Sequence, residues 1–257
     1  MRRQVLWLMV VAGAAVAEER AKLSSVFGPG EQTTYEVSYM GLTAGRVELT
    51  VGAGMEQFGH PVWPLVCLGE TTSVGALYPV KDRFITYWDP LERRTVGADF
   101  FVHENKFRVK ERYEYDFAAS QAIVTRASPG WPTTQKRVDI MEGTVDLAAA
   151  GFSLRNFPLE TGQVHELPIF TGVKLYKMKA TVVGKEMLST ALGELEVYRV
   201  TVNGDFSGKL ATQGLMTLYY TTDERRLPVR AEAKLVLGQV RIEAIKYEPG
   251  RRYTGVE

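Results

Sequence analysis

The stretch Tyr78-Pro79-Val80-Lys81-Asp82-Arg83 gathers an aromatic ring, a proline, an acid and two bases into six residues. Pro79 stiffens such a corner, and Phe84 onward reads as strand, which places the acid and Arg83 at a sheet end. Adjacent strand residues point to opposite faces, so Asp82 and Arg83 are not expected to pair with each other. One of them should turn inward. Arg83 is the candidate, with a carboxylate from the C-terminal half as its partner. A guanidinium removed from water needs a carboxylate or an anionic ligand to offset the lost hydration. Tyr78, Asp82 and Arg83 therefore mark either a structural ion pair or a ligand contact.

Other chemistry-bearing residues are scattered. The sequence holds no G-x-S-x-G elbow, no phosphate-binding G-x-x-x-x-G-K-[ST] loop and no H-E-x-x-H metal helix. His60, His103 and His165 have no ligand-like spacing, so no metal and no cofactor is expected. Cys67 lies in the apolar run Val62 to Leu68 and reads as a small hydrophobe, because nothing near it in sequence would favour its thiolate. Arg108, Lys110 and Arg112 alternate with apolar residues. They read as the solvated face of a strand, since Glu114 and Asp116 continue the same face.

These residues must be positioned by strands. Tyr35, Val37 and Tyr39 alternate with Glu36 and Ser38, and Phe107, Val109, Tyr113, Tyr115 and Phe117 share one parity against charged neighbours. Period two is the mark of half-buried strands. Further strands are predicted over 62–74, 82–88, 95–102, 106–117, 163–170, 173–184, 194–203, 213–221, 228–237 and 239–248. Turns are expected at Gly41 to Gly45, Gly184, Gly193, Asn203-Gly204, Asp223-Glu224 and Gly238. One segment breaks the period: Val145, Ala148, Ala149 and Phe152 fall on one helix face, with Thr144 as the expected cap and Pro158 soon after the end. The predicted fold is mainly β, a large antiparallel meander forming a curved sheet or (half-)barrel, with one short helix whose Val145, Ala149 and Phe152 face the sheet.

Composition sets the outer bounds. Of 257 residues, 45% are apolar and 24% charged, which excludes disorder, and a single Cys excludes an intrachain disulfide framework. A formal charge of +1 excludes the basic footprint of a nucleic-acid binder. Met1-Arg2-Arg3-Gln4, the apolar run Val5 to Val16 and Ala15-Val16-Ala17 have the layout of a signal peptide cut near Ala17-Glu18. That run is about a dozen residues, short of the roughly 20 needed to span a bilayer, so no transmembrane span is expected in the mature chain. The organisation predicted is a signal peptide over 1–17, a lead-in over 18–32, one β-rich domain over 33–249 and a tail over 250–257.

Several separated stretches resemble one family. They are Gly30-Glu31 leading into Tyr35-Glu36-Val37-Ser38-Tyr39, Gly41-Leu42-Thr43-Ala44-Gly45, Tyr78 to Arg83, Asp89-Pro90 and Tyr115-Asp116-Phe117. Asp146-Leu147, Leu154-Arg155, Pro158-Leu159-Glu160-Thr161-Gly162 and Leu227-Pro228-Val229-Arg230 follow in order. Together they resemble the bacterial exported domain-of-unknown-function family numbered 3108 over roughly residues 26–249. The resemblance implies export to the periplasm of a Gram-negative cell and supplies no established activity or catalytic set. The helix departs from the family pattern, with Ala148-Ala149-Ala150 and Phe152 where relatives often carry more aromatic side chains.

The functional expectation is a non-enzymatic periplasmic envelope protein that binds an apolar or amphipathic ligand, such as a lipid, or an envelope protein, in its curved sheet. The alternatives are a structural or interaction protein of an envelope assembly and a hydrolase acting on cell-wall or lipid material. Asp82, Arg83 and a histidine gathered in space would favour the hydrolase, and a deep apolar cavity the binder.

Overall fold

The computed structural model describes residues 26–72, 78–204, 216–235 and 238–251. The predicted signal peptide and its cut at Ala17-Glu18, the lead-in before Val26, the strand ends at 73–74, 213–215 and 236–237, and the tail after Arg251 lie outside them. The strands, in chain order, are β1 (Gln32–Tyr39), β2 (Leu42–Val51), β3 (Met55–Gln57), β4 (His60–Thr71), β5 (Lys81–Asp89), β6 (Arg94–Glu104), β7 (Phe107–Asp116), β8 (Gln121–Ala127) and β9 (Thr134–Asp139). There follow β10 (Val145–Asp146), the helix α1 (Leu147–Leu154), β11 (Val164–Phe170), β12 (Leu175–Thr190), β13 (Gly193–Gly204), β14 (Met216–Thr221), β15 (Pro228–Lys234) and β16 (Gln239–Glu248).

These strands form one large mixed sheet among the described residues. Its order is β10-β11-β12-β13-β14-β15-β16-β1-β2-β4-β5-β6-β7-β8-β9, with β3 hairpinned onto β4. Every neighbouring pair is antiparallel except β10 with β11, where the helical crossover makes a short parallel pair. β1 pairs with β16, so the chain start closes the C-terminal block onto the N-terminal one. The sheet stays open: β9 and β10 are its two ends. Yet β10 curls back over the inner face, where the Thr86 hydroxyl donates to the Asp146 carboxylate at 2.8 Å and the Tyr113 and Tyr115 rings pack on Phe170.

The concave side is filled. Ala149, Ala150 and Leu154 of α1 pack on Leu167, Ile169, Met178, Val182, Val200 and Tyr220. Phe152 points the other way into Phe27, Trp63, Leu65 and Trp88. The helix thus packs on both blocks of strands rather than on one. Val26 and Phe27 belong to this core, so the end of the lead-in is structural.

Three local expectations are corrected. Val145 is buried but belongs to β10, and the helix begins at Leu147. Its cap is Asp146, whose carboxylate accepts from the Ala149 N–H at 2.9 Å, while the Thr144 hydroxyl serves the preceding turn at Met141. Asp outranks a residue two positions earlier because it alone has its side chain within reach of the free N–H groups of the first turn. Gly184 is no turn either. β12 runs through it to Thr190, and the register shift between Val182 and Gly184 marks a bulge, where a missing side chain tolerates the kink. β8 and β9 escape the period-two reading; β9, Thr-Gln-Lys-Arg-Val-Asp, is an edge strand exposed on nearly every residue and carries no buried stripe.

Candidate functional site

The Tyr78–Arg83 corner sits at the start of β5, where Val80 bridges to Glu104 at the end of β6. Tyr78 is exposed, and its hydroxyl donates to the Glu104 carboxylate at 3.2 Å. Asp82 is the half-buried residue of the pair. Its carboxylate accepts the His103 backbone N–H at 2.7 Å. Burial raises the Asp82 pKa, with this hydrogen bond opposing and the nearby Glu104 reinforcing it.

Arg83 faces outward, which corrects the expected inward arginine. It is exposed and forms no ion pair among the described residues; its guanidinium lies 4.2 Å from the centre of the Phe101 ring. The reason is parity: Thr86 and Trp88 face the core, so the odd residues of the strand start, Lys81 and Arg83, must face out. The buried arginine of this fold is Arg155, fully buried and held bidentate by Glu31 at 2.6 and 3.1 Å. Both residues stand in stretches that carry the family resemblance. The sequence signal is weak, however, because 124 positions separate them.

Around Arg83 the outer face forms a groove of about 910 Å³ across β2, β4, β5, β6, β7 and the β8 end. Register explains its composition. Leu68 pairs with Arg83, Arg83 with Phe101 and Phe101 with Lys110, which sets an apolar, cation, aromatic, cation row across four strands. The Lys110 amine sits 5.2 Å from the Phe101 ring centre, so two cations lie against one aromatic ring. Arg46, Lys81 and Arg108 raise the basic lining to five side chains, against Glu48, Glu70 and Asp82.

The basic row read in β7 is thus divided by partner. Arg112 is engaged by Asp99 in a two-point contact at 2.8 Å each. Burial raises the Asp99 pKa, but the bonds from Arg112 and Tyr87 outweigh it and hold the carboxyl below its ordinary value. Arg108 donates to the Asn105 and Phe107 carbonyls, whereas Lys110 lies against the Phe101 ring and acts on Asp99 through its charge alone. Arg83 and Lys110, at the Phe101 ring, are groove cations without an ion pair among the described residues.

Four acids are buried among the described residues: Glu31, Asp89 and Asp99, which face Arg155, His60 and Arg112, and Asp146. Asp146 is completely buried, and desolvation raises its pKa despite hydrogen bonds from Ala149, Thr86 and Ala148. Cys67 is half-buried on the same side; burial, with Asp146 and Asp82 adding to it, pushes its thiol up to about 12, which leaves no thiolate at neutral pH. Among the described residues no group of three His, Cys, Asp or Glu is placed to hold a metal ion. Nor, among them, is any helix long and apolar enough to cross a membrane.

The raised Asp146 pKa has a measurable consequence. The folded chain holds this proton to higher pH than the unfolded chain, whose carboxyl titrates near 3.9. Its favourable contribution is therefore complete below the unfolded value and fades as pH rises through the folded one. Asp146→Asn keeps an oxygen for the Ala149 N–H and removes the charge. Urea midpoints should show the wild type losing ground to this variant as pH rises from acid to neutral. A difference that stays flat with pH would show that the carboxyl does not titrate above its ordinary range.

This chain matches solved structures at low sequence identity. A β-barrel-like protein of the domain of unknown function DUF1849 from Brucella abortus superposes with a TM-score of 0.57 at 10% identity, covering 87% of this chain and 98% of that one. A Bacteroides fragilis protein with a YmcC-like fold matches with a TM-score of 0.38 at 11% identity, covering 86% and 98%. The first likeness is one of fold alone. No curated protein matches the sequence. Residues 34–245, which include the whole Tyr78–Arg83 corner, the groove and the Asp146 cap, match the family described as protein of unknown function DUF3108, and the chain belongs to that family.

Proposed function

We propose that this chain is an exported periplasmic, non-enzymatic protein whose outer groove binds an amphipathic molecule with an anionic head and an apolar tail. The observation that carries the reading is the Phe101 ring flanked by Arg83 and Lys110, neither in an ion pair among the described residues, beside the exposed Leu68. Two weakly engaged cations over an apolar floor suit an anion whose tail lies along Leu68 and Phe101. The concave side, where a ligand was expected, is occupied by α1 and its aromatic partners.

Lysophosphatidylglycerol below its micelle concentration is the probe. It should bind by calorimetry, and Arg83→Ala should weaken binding by about tenfold, the scale of one charge-assisted contact. The same variant should change stability by no more than about 0.5 kcal/mol, as expected of an exposed side chain. A melt that moves while binding does not would make Arg83 structural. If neither moves, the residue is solvated and the groove is not the site.

A hydrolase remains the second reading, because Asp82, Arg83 and His103 do line the same groove. Against it, Asp82 accepts the backbone N–H of His103 rather than a ring nitrogen, and Ser128 is the only hydroxyl side chain of the described lining. Release of free fatty acid or glycerophosphate from the same probe, lost in His103→Ala, would favour it. The interaction-protein alternative rests on the open β9 edge, whose Lys136, Arg137 and Asp139 are the charges that discourage strand addition.

A further inference from the structure

The four exposed aromatic side chains among the described residues, Tyr39, Tyr78, Phe107 and Trp131, all lie at one end of the sheet. Register places them there. Lys234 pairs with Gln239, Tyr39 with Val240, Gly45 with Thr71, Glu70 with Lys81, Glu104 with Phe107 and Arg126 with Thr134. The described residues 40–41, 78–80, 105–106 and 128–133, with Leu235 and Gly238, therefore share that end. Trp131 is 77% exposed, Met40 67%, Phe107 51% and Tyr78 48%, values far above what a folded chain needs to leave in water.

Lysines stand beside these rings. The described connecting residues there include no Asp or Glu; Lys81, Lys106 and Lys234 stand among or beside them, and Glu70, Asp82 and Glu104 are acids of the adjoining strand ends. Glu104 is the nearest acid on the β6–β7 hairpin, and it is already engaged by the Tyr78 hydroxyl. The opposite end carries Glu92, Asp223 and Glu224 in its turns beside Arg93, Arg225 and Arg226, and no exposed aromatic ring among the described residues. Tryptophan, tyrosine and phenylalanine interspersed with lysine match the boundary between lipid headgroups and acyl chains, where a flat ring with a polar tip meets both media. A protein partner would be expected to supply, or require, some opposite charge of both signs at its rim.

The groove reaches this end. Arg108, Ser128 and Pro129 line it and also line the depression beneath Phe107 and Trp131. We infer that this end of the sheet docks on an anionic lipid surface, with Trp131 and Phe107 seated among the headgroups beside the groove mouth. The inference deepens the groove reading, since it names the surface from which an anionic amphiphile would enter, but its contacts are separate residues.

Sedimentation with vesicles tests it. The exported chain should partition onto phosphatidylglycerol vesicles, be released in about 1 M salt, where the Debye length is about 3 Å, and bind phosphatidylcholine vesicles far less. Trp63 and Trp88 are buried, so the emission shift to the blue on binding should vanish in Trp131→Phe. Phe107→Ser with Trp131→Ser should lower the partition by on the order of tenfold, because binding scales with the apolar area inserted. That double variant should keep its melting temperature and its affinity for monomeric lysophosphatidylglycerol. Arg83→Ala should do the reverse, losing the monomer and keeping the vesicle. No partition by the wild-type chain, or equal partition by the double variant, overturns the docking end and leaves the groove reading standing. Equal binding to phosphatidylcholine overturns its preference for an anionic surface.

Discussion

Arg155→Met is expected to lower stability by about 3–5 kcal/mol, the range for removing one partner of a buried ion pair. The guanidinium is fully buried and donates to both Glu31 oxygens, to the Val26 carbonyl and to the Arg225 carbonyl, while stacking over Phe27 and Phe152. It is also the C-terminal cap residue of α1. One side chain thus ties the helix end, the segment entering β1 and the β14–β15 turn. Methionine keeps much of the volume but leaves a buried carboxylate with only the distant Tyr247 hydroxyl at 3.4 Å. For a chain of this size the melting temperature should fall by on the order of 10 °C. Arg155→Lys should recover only part of the loss, because an ammonium cannot match the two-point geometry. Arg155→Met with Glu31→Gln should be more stable than Arg155→Met alone, since the stranded charge is gone. A single variant that melts within a degree or two of the wild type would show that the pair contributes little beyond packing.

The strands were legible in sequence because their alternation follows from burial on one face. In β7, Val109, Tyr113 and Tyr115 are buried while Lys110, Glu114 and Asp116 are exposed. The same rule failed where no face is buried, as in β9, and where a backbone irregularity resets the parity, as at Gly184. The Tyr78–Arg83 corner was visible as an unusual composition, but parity across the strand start decided which residue turns in. That parity depends on Thr86 meeting Asp146 from 60 positions away. The groove was invisible for a similar reason: Leu68, Arg83, Phe101 and Lys110 become neighbours only through three cross-strand registers. Arg155 and Glu31 show the limit most clearly. No local pattern marks a residue as buried when its partner lies in a different third of the chain.

Phe152→Ala is the second large effect. The ring is 5% exposed and was expected from the helical stripe to face the sheet; it meets Phe27 edge-on at 5.2 Å between ring centres and completes a cluster with Val51, Trp63, Leu65 and Trp88. Truncation removes the aromatic contact and leaves a cavity between α1 and the β1–β5 block, which partial collapse cannot fill because the surrounding side chains are large and interlocked. The expected loss is about 3–5 kcal/mol, reduced by only a few tenths through the better helix propensity of alanine. Leu147→Ala, at the exposed start of the same helix, should change stability by less than about 0.5 kcal/mol and serves as the control. Because the Arg155 guanidinium lies 5.3 Å from the Phe152 ring centre, the two truncations share partners and should not add. Urea unfolding of both single variants and the double variant would measure that coupling. A Phe152→Ala loss below about 0.5 kcal/mol would mean that the helix contributes nothing on its aromatic side, and that α1 rests on the β11–β14 block alone.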